Sequence, residues 1–187
     1  APLDWMVDPA VRTYAYDPAR ARALLAEAGF ATLRGGIRYD AAGRRLSFEL
    51  TTTAGNRSRE LVQQVLQAQW RAVGVDIAIR NEPPRIFFGD TTTRRRFGAM
   101  AMFAWMSAPE NVPRTVLHTD HIPTAANNWS GQNFTGFSNP DMDALIEATE
   151  VELDRERRRE LWRRMQAIYA EELPALPLGT DAATLTA

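Results

Sequence analysis

Neither cysteine nor lysine occurs anywhere in these 187 residues. Without cysteine there is no disulfide, no thiolate metal ligand and no thiol nucleophile. All 22 basic residues are therefore arginine, set against 23 acidic ones, for a formal net charge of −1. A balance so close to zero supplies no global field to recruit nucleic acid or anionic lipid. The lysine-free, alanine-rich usage reflects a GC-rich coding sequence and not a chemistry. No apolar run approaches the roughly 20 residues that span a bilayer. The chain opens "APLDWMVDP" with neither an initiator methionine nor a secretion signal, which reads as a segment of a longer protein more readily than as a processed product. Its length is that of one domain or one large lobe.

Catalytic signatures are missing as well. "GNRSRE" offers Ser58 without a G-x-S-x-G elbow, and "RGGI" lacks the spacing and the lysine of a phosphate loop. The carboxylates fall on predicted outer helix faces, where paired acid–base work has no site. No enzyme activity and no cofactor are expected.

What is present is an alternation of helices and strands. In "YDPARARALLAEAGF" Asp17 is an N-cap, Pro18 occupies the first helical position, and Gly29 stands where a left-handed stop belongs. Ile37–Tyr39 and 46–53 read as two strands of a hairpin that turns through Ala41, Ala42 and Gly43. Residues 57–73 predict an amphipathic helix with Leu61, Val65, Leu66, Ala68, Gln69 and Val73 inside, stopped by Gly74. A strand at 75–82 completes a βαβ unit with parallel strands. Pro83 and Pro84 start a short helical turn through Phe87 and Phe88, and the polar loop "GDTTTRRRFG" follows. "AMAMFAW" at 99–105 is the most apolar stretch and reads as a buried strand. A loop-rich region spans 107–138. Two helices close the chain, one capped by Ser138 or Asn139 and running to about Val151, the other from about Asp154 to Glu172 with Leu161, Met165, Ile168 and Tyr169 inward. "LPALPL" is an extended exit. The fold class is α/β, a sheet flanked by helices.

Phe103, Trp105 and Met106 lie at the carboxyl end of the predicted buried strand, where open α/β sheets bind ligands. Aromatic walls there suit apolar or planar groups, and the amides of Asn127, Asn128, Gln132 and Asn133 could orient them; the same aromatics could equally fill the core. "HTDH" brackets Asp120 with His118 and His121, but no further residue completes a metal set. The run "RERRRELWRR" interleaves glutamates at salt-bridging distance and reads as a solvated helix face; "RRR" at 94–96 sits in a loop.

Four ordered motifs carry a resemblance. "YDPARARALLAEAGF", then "GRRLSFELTTTAGNRSRELVQQVLQAQWRAVGVDI", "GQNFTGFSNPDMDALIEA" and "ELDRERRRELWRRMQAIYAEELPALPL" resemble, in sequence and order, the family 5 extracellular solute-binding proteins, the peptide, dipeptide and nickel receptors of ABC importers. The resemblance implies a type II periplasmic-binding-protein-like lobe with a mixed sheet. Residues 1–187 would be a single α/β lobe, most of the C-terminal lobe of a two-lobed receptor, its two ends marking connections to a missing N-terminal lobe. It implies a small-molecule or peptide ligand held in an interlobe cleft, an ABC-importer permease as partner, a monomer, and a periplasmic or membrane-anchored extracytoplasmic location. Oligopeptide-binding members carry, in the segment matching 102–109, an aspartate that pairs with the peptide's free amino group; here "MFAWMSAP" places Trp105 at about that position, which favours a more apolar or planar ligand, or a peptide held differently. Phe103, Trp105, Met106 and Asn133 are the ligand-binding candidates. The alternatives are the ligand-sensing domain of a transcription regulator and a small stand-alone enzyme.

Overall fold

The computed structural model describes residues 4–105 and 111–179. They divide into two compact units, one of residues 14–105 and 123–130, the other of residues 4–13, 111–122 and 131–179.

In the first unit, helix α1 (Pro18–Glu27) begins as its sequence predicts, with the Asp17 carboxylate accepting from Arg20 N–H at 2.9 Å. Two short strands follow, β1 (Thr32–Arg34) and β2 (Ile37–Tyr39), paired antiparallel. The two-residue turn between them is Gly35-Gly36, both at positive φ, a pairing that suits a tight hairpin. The hairpin expected between Ile37–Tyr39 and 46–53 is reduced to a single bridge, Tyr39 to Arg45, flanked by Leu46 N–H on the Arg38 carbonyl and Asp40 N–H on the Arg44 carbonyl.

Strand β3 (Ser47–Thr53) is the centre of a three-stranded parallel sheet. It pairs along its whole length with β4 (Asp76–Glu82), from Ser47 opposite Asp76 to Thr53 opposite Glu82. On its other side it meets β5, which is only Met100–Ala101. The segment 99–105 is therefore mostly non-strand, half-buried over 100–103 and exposed at 99, 104 and 105. The most buried strand residues are instead Leu50 to Thr53, whose three threonine hydroxyls all find partners: Thr51 to Glu49, Thr52 to the Met102 carbonyl, Thr53 from Arg59.

Helix α2 (Arg57–Ala72) is capped by Asn56 and connects β3 to β4, as the βαβ pattern requires. Its inner face differs from the apolar stripe. Leu61 and Val65 are 46% and 55% exposed, and Ala68 and Gln69 also face outward. Gln63 is fully buried and donates to the Leu50 carbonyl at 3.0 Å; Gln67, one turn on, donates to the Ile77 carbonyl at 2.7 Å. Sheet carbonyls need donors once covered, so the helix rolls its glutamine row inward, with Leu66, Trp70 and Val73 beside it against Leu46, Leu50, Val75 and Ile77.

Arg38 ties these elements together. It is 5% exposed, and its guanidinium donates to the Phe30 carbonyl just beyond α1 and to the Val73 carbonyl at the end of α2, both at 2.9 Å. Its own N–H reaches the Gly74 carbonyl at 2.8 Å. A carbonyl left open at a helix C-terminus carries partial negative charge, so the cation suits the Val73 end of α2 while also pinning the chain that leaves α1. Gly74 stands at φ +95°, and a Cβ there would lie 2.6 Å from Arg38 Cγ.

After β4, a short helix α3 (Pro84–Ile86) passes directly into a π-helical turn, Phe87–Thr92. The expected polar loop is helical as far as Thr92, and Thr91 and Thr92 are buried.

The second unit is helical. Helix α4 (Arg114–Leu117) and a 3₁₀ turn at Thr119–His121 break up the region expected to be loop, as does a further 3₁₀ turn at Ala125–Asn127 in the first unit. Helix α5 (Pro140–Val151) is capped by Asn139, and α6 (Arg155–Glu172) by Asp154. Met142, Leu145, Ile146, Met165 and Leu117 form the core, with Leu161, Ile168 and Tyr169 packed against it as predicted. Gln166 fastens the N-terminal segment to α6, accepting from Asp8 N–H and donating to the Met6 carbonyl. Arg114 makes a two-pronged bond to Glu150, at 2.7 and 2.8 Å, joining α4 to α5. The Arg114 hydrogen bond holds the Glu150 carboxyl below the usual carboxylate range, with partial burial opposing it.

Two outcomes are expected. Arg38→Met leaves two covered carbonyls without a donor and should lower unfolding free energy by about 2–4 kcal/mol in urea titrations; an unchanged midpoint would show that water replaces the guanidinium. A carboxyl held low in the folded state adds stability that is complete above its unfolded pKa and lost as pH falls through its folded one. Glu150→Gln should therefore cost about 0.5–1 kcal/mol at pH 7, and the gap from wild type should close below about pH 4. A gap independent of pH would assign the effect to packing.

Candidate functional site

The parallel sheet delivers its strand ends to one edge, and the chain leaving β5 there carries the aromatic residues. Phe103 is half-buried and Trp105 is 45% exposed; their rings meet edge to face with centroids 5.8 Å apart. Met106 lies outside the described residues. The sequence missed two further members of this cluster. Phe87 is fully buried and Phe88 is 42% exposed, their rings are 4.9 Å apart, and each stands 5.9 Å from Phe103 in an edge-to-face arrangement. Such pairs gain about 0.5–1.5 kcal/mol beyond simple burial, so the four rings hold one another in place. The signal was the "FF" doublet after "PP", which reads as an unremarkable helical turn when taken alone.

The end of β4 is polar and built. Glu82 is buried, accepts from the Thr91 hydroxyl at 2.5 Å and pairs with Arg80 at 3.0 Å. Thr91 thus fixes the π-helical turn to the strand that precedes it. In the same unit the Arg94 guanidinium lies 6.0 Å from the centre of the Trp129 ring. Asn128 and Trp129 both adopt left-handed backbone conformations, unusual for non-glycine residues and for a bulky aromatic above all.

Asn133 belongs to the other unit. It is fully buried and its amide is used up within its own loop: Nδ2 donates to the His118 and Phe137 carbonyls, while Oδ1 accepts from Thr135 Oγ1 and Phe137 N–H. Two donors and two acceptor sites of the amide are thus engaged, and through them Asn133 holds residues 118–137 in shape.

The "HTDH" residues form a turn. His118 is buried, and its Nδ1 accepts from Asp120 N–H at 3.1 Å, so the ring proton sits on Nε2, 3.3 Å from Glu147 Oε1. That is a side-chain cap on the 3₁₀ turn. Among the described residues, no group of three or more histidine, aspartate or glutamate side chains could hold a metal ion. Among them, too, no helix is long and apolar enough to cross a membrane.

Comparison with known proteins bears on what this arrangement is for. The profile of the bacterial extracellular solute-binding proteins, family 5 Middle, matches residues 2–124. An oligopeptide-binding protein from Thermus thermophilus, solved with a pentapeptide, superposes with a TM-score of 0.86 at 35% identity, over 95% of this chain and 32% of its own. Di/tripeptide-binding protein 2 of Pseudomonas aeruginosa is 28% identical over 91% of this chain and 30% of its own length. Heme-binding protein A of Haemophilus influenzae is 24% identical over 95% of this chain and 30% of its own. The chain thus spans about a third of the length of the relatives it matches. The α/β architecture, with its parallel and antiparallel sheets, is that of type II periplasmic binding proteins.

Proposed function

The chain belongs to the bacterial extracellular solute-binding proteins, family 5, and from that premise we propose that it is part of the substrate-binding component of an ABC importer, capturing a small solute reversibly and without reaction. Residues 1–187 correspond on this reading to most of the C-terminal lobe of a two-lobed receptor. The ligand is a peptide or peptide-like solute, the remaining lobe closes over it, and a membrane permease receives it. The protein works outside the cytoplasm, in the periplasm or on a lipid anchor, as a monomer.

The observation that carries the reading is the aromatic surface of Phe103 and Trp105 just beyond the carboxyl end of β5, with Met106 next in the chain. Ligands of open α/β sheets lie beyond those ends, and a Trp exposed over nearly half its surface has area left to cover. The relatives named above are, by their names, a heme-binding protein, a di/tripeptide-binding protein and an oligopeptide-binding protein. An indole at position 105 cannot form the ion pair that an aspartate makes with an α-ammonium group, so recognition shifts from the amine to apolar contact.

Calorimetric titration of the full-length protein tests this. Tripeptides with a free and with an acetylated N-terminus should bind with affinities equal within about threefold, and Trp105→Ala should weaken both by about 2 kcal/mol, roughly thirtyfold. Strong rejection of the acetylated peptide, or an unaltered affinity in Trp105→Ala, would overturn the assignment of this face.

A further inference from the structure

We propose that Phe88 is a third, specificity-determining contact for the solute, and that the π-helical turn Phe87–Thr92 exists to place it there. The inference rests on the reading of the Phe103–Trp105 surface as solute-binding.

Successive residues of an α-helix point about 100° apart, so two neighbouring phenylalanines cannot both reach one ring without difficulty. A π-helix closes its hydrogen bonds over five residues and fits more residues into each turn, which brings neighbours closer in angle. That is what is seen: Phe87 and Phe88 each stand 5.9 Å from Phe103, although they are adjacent in the chain. Phe87 is fully buried and anchors the cluster, while Phe88 keeps 42% of its surface in solvent. Phe88 and Trp105 thus flank Phe103 as the two most exposed members of one aromatic wall.

The turn is not a passing distortion of α3. The Thr92 hydroxyl donates to the Phe87 carbonyl at 3.0 Å and the Thr93 hydroxyl to the Phe88 carbonyl at 2.5 Å, each bond reaching back five residues. Its C-terminus is closed by a left-handed Arg95, with Arg95 N–H on the Thr92 carbonyl at 3.0 Å and Arg96 N–H on the Thr91 carbonyl at 2.7 Å. Thr91 itself is tied to Glu82 at the end of β4. Three consecutive threonines therefore hold a rare helical geometry whose visible result is the position of one half-exposed ring. Wide helical turns of this kind concentrate at functional sites. A wall of edge-to-face rings is complementary to flat or branched apolar groups, so the ligand class is a peptide with an aromatic or bulky aliphatic side chain at the position facing Phe88. Thr93 is a positioning residue, since it acts through Phe88.

The test is calorimetric titration of the full-length protein with two probes, Ala-Phe-Ala and Ala-Ala-Ala, with thermal melts to verify folding. Wild type should prefer Ala-Phe-Ala by about tenfold or more. Phe88→Ala should erase that preference while changing Ala-Ala-Ala affinity by no more than about threefold. Thr93→Val should lose the preference and Thr93→Ser should keep it, a rescue that mere loss of stability would not give. Equal binding of both probes by wild type, an intact preference in Phe88→Ala, or equal weakening of both probes in that variant would overturn the role of Phe88 and leave the receptor reading standing. Failure of wild type to bind either probe would overturn peptide capture itself, and this inference with it.

Discussion

A single buried guanidinium sits where two helices end. The Val73 carbonyl at the C-cap of α2 and the Phe30 carbonyl just past α1 both converge on Arg38. Gly74, in a left-handed conformation and in contact with the Arg38 side chain, turns the chain there from α2 into β4. Once that corner is fixed, the rotation of α2 and the start of β4 follow. The rotation lays Gln63 and Gln67 on the sheet's carbonyls, and the register places Glu82 opposite Thr53. Everything at the far edge of the sheet inherits its position from this end.

That inheritance matters because recognition by an aromatic surface depends on shape more than on charge. Phe103 and Trp105 leave β5, which is held to β3 by a short ladder and by the Thr52 hydroxyl on the Met102 carbonyl. Phe87 and Phe88 leave β4 through the π-helical turn. Rings arriving from two strands interlock edge to face, so the surface is braced from both sides before any solute arrives. A preorganised surface spends less of its contact energy on ordering side chains at binding.

Helix ends, the βαβ unit and the helical second unit were legible because local chemistry decides them: Asp17, Asn139 and Asp154 cap where their side chains can reach open N–H groups. The roll of α2 was not legible. Hydrophobicity counts Leu61 and Val65 as core and Gln63 as surface, whereas a covered sheet carbonyl needs a donor more than it needs a methyl group. "AMAMFAW" misled for a related reason: an apolar run signals burial, but only Met100 and Ala101 of it pair with β3. The strand-end rule singled out Phe103 and Trp105, whose rings the structure does bring together. It could not single out Phe88, whose placement depends on hydrogen bonds five residues long, nor foresee that the Asn133 amide is engaged within its own loop.

Native mass spectrometry of the full-length protein, purified gently from its exporting host, tests the central claim most directly. The account predicts a bound small molecule, released on denaturation, whose structure includes an aromatic or bulky apolar group, and its absence from protein carrying Trp105→Ala. A protein that carries nothing and takes up nothing from a peptide mixture would contradict capture. A bound solute retained undiminished by Trp105→Ala would contradict the aromatic surface as its site.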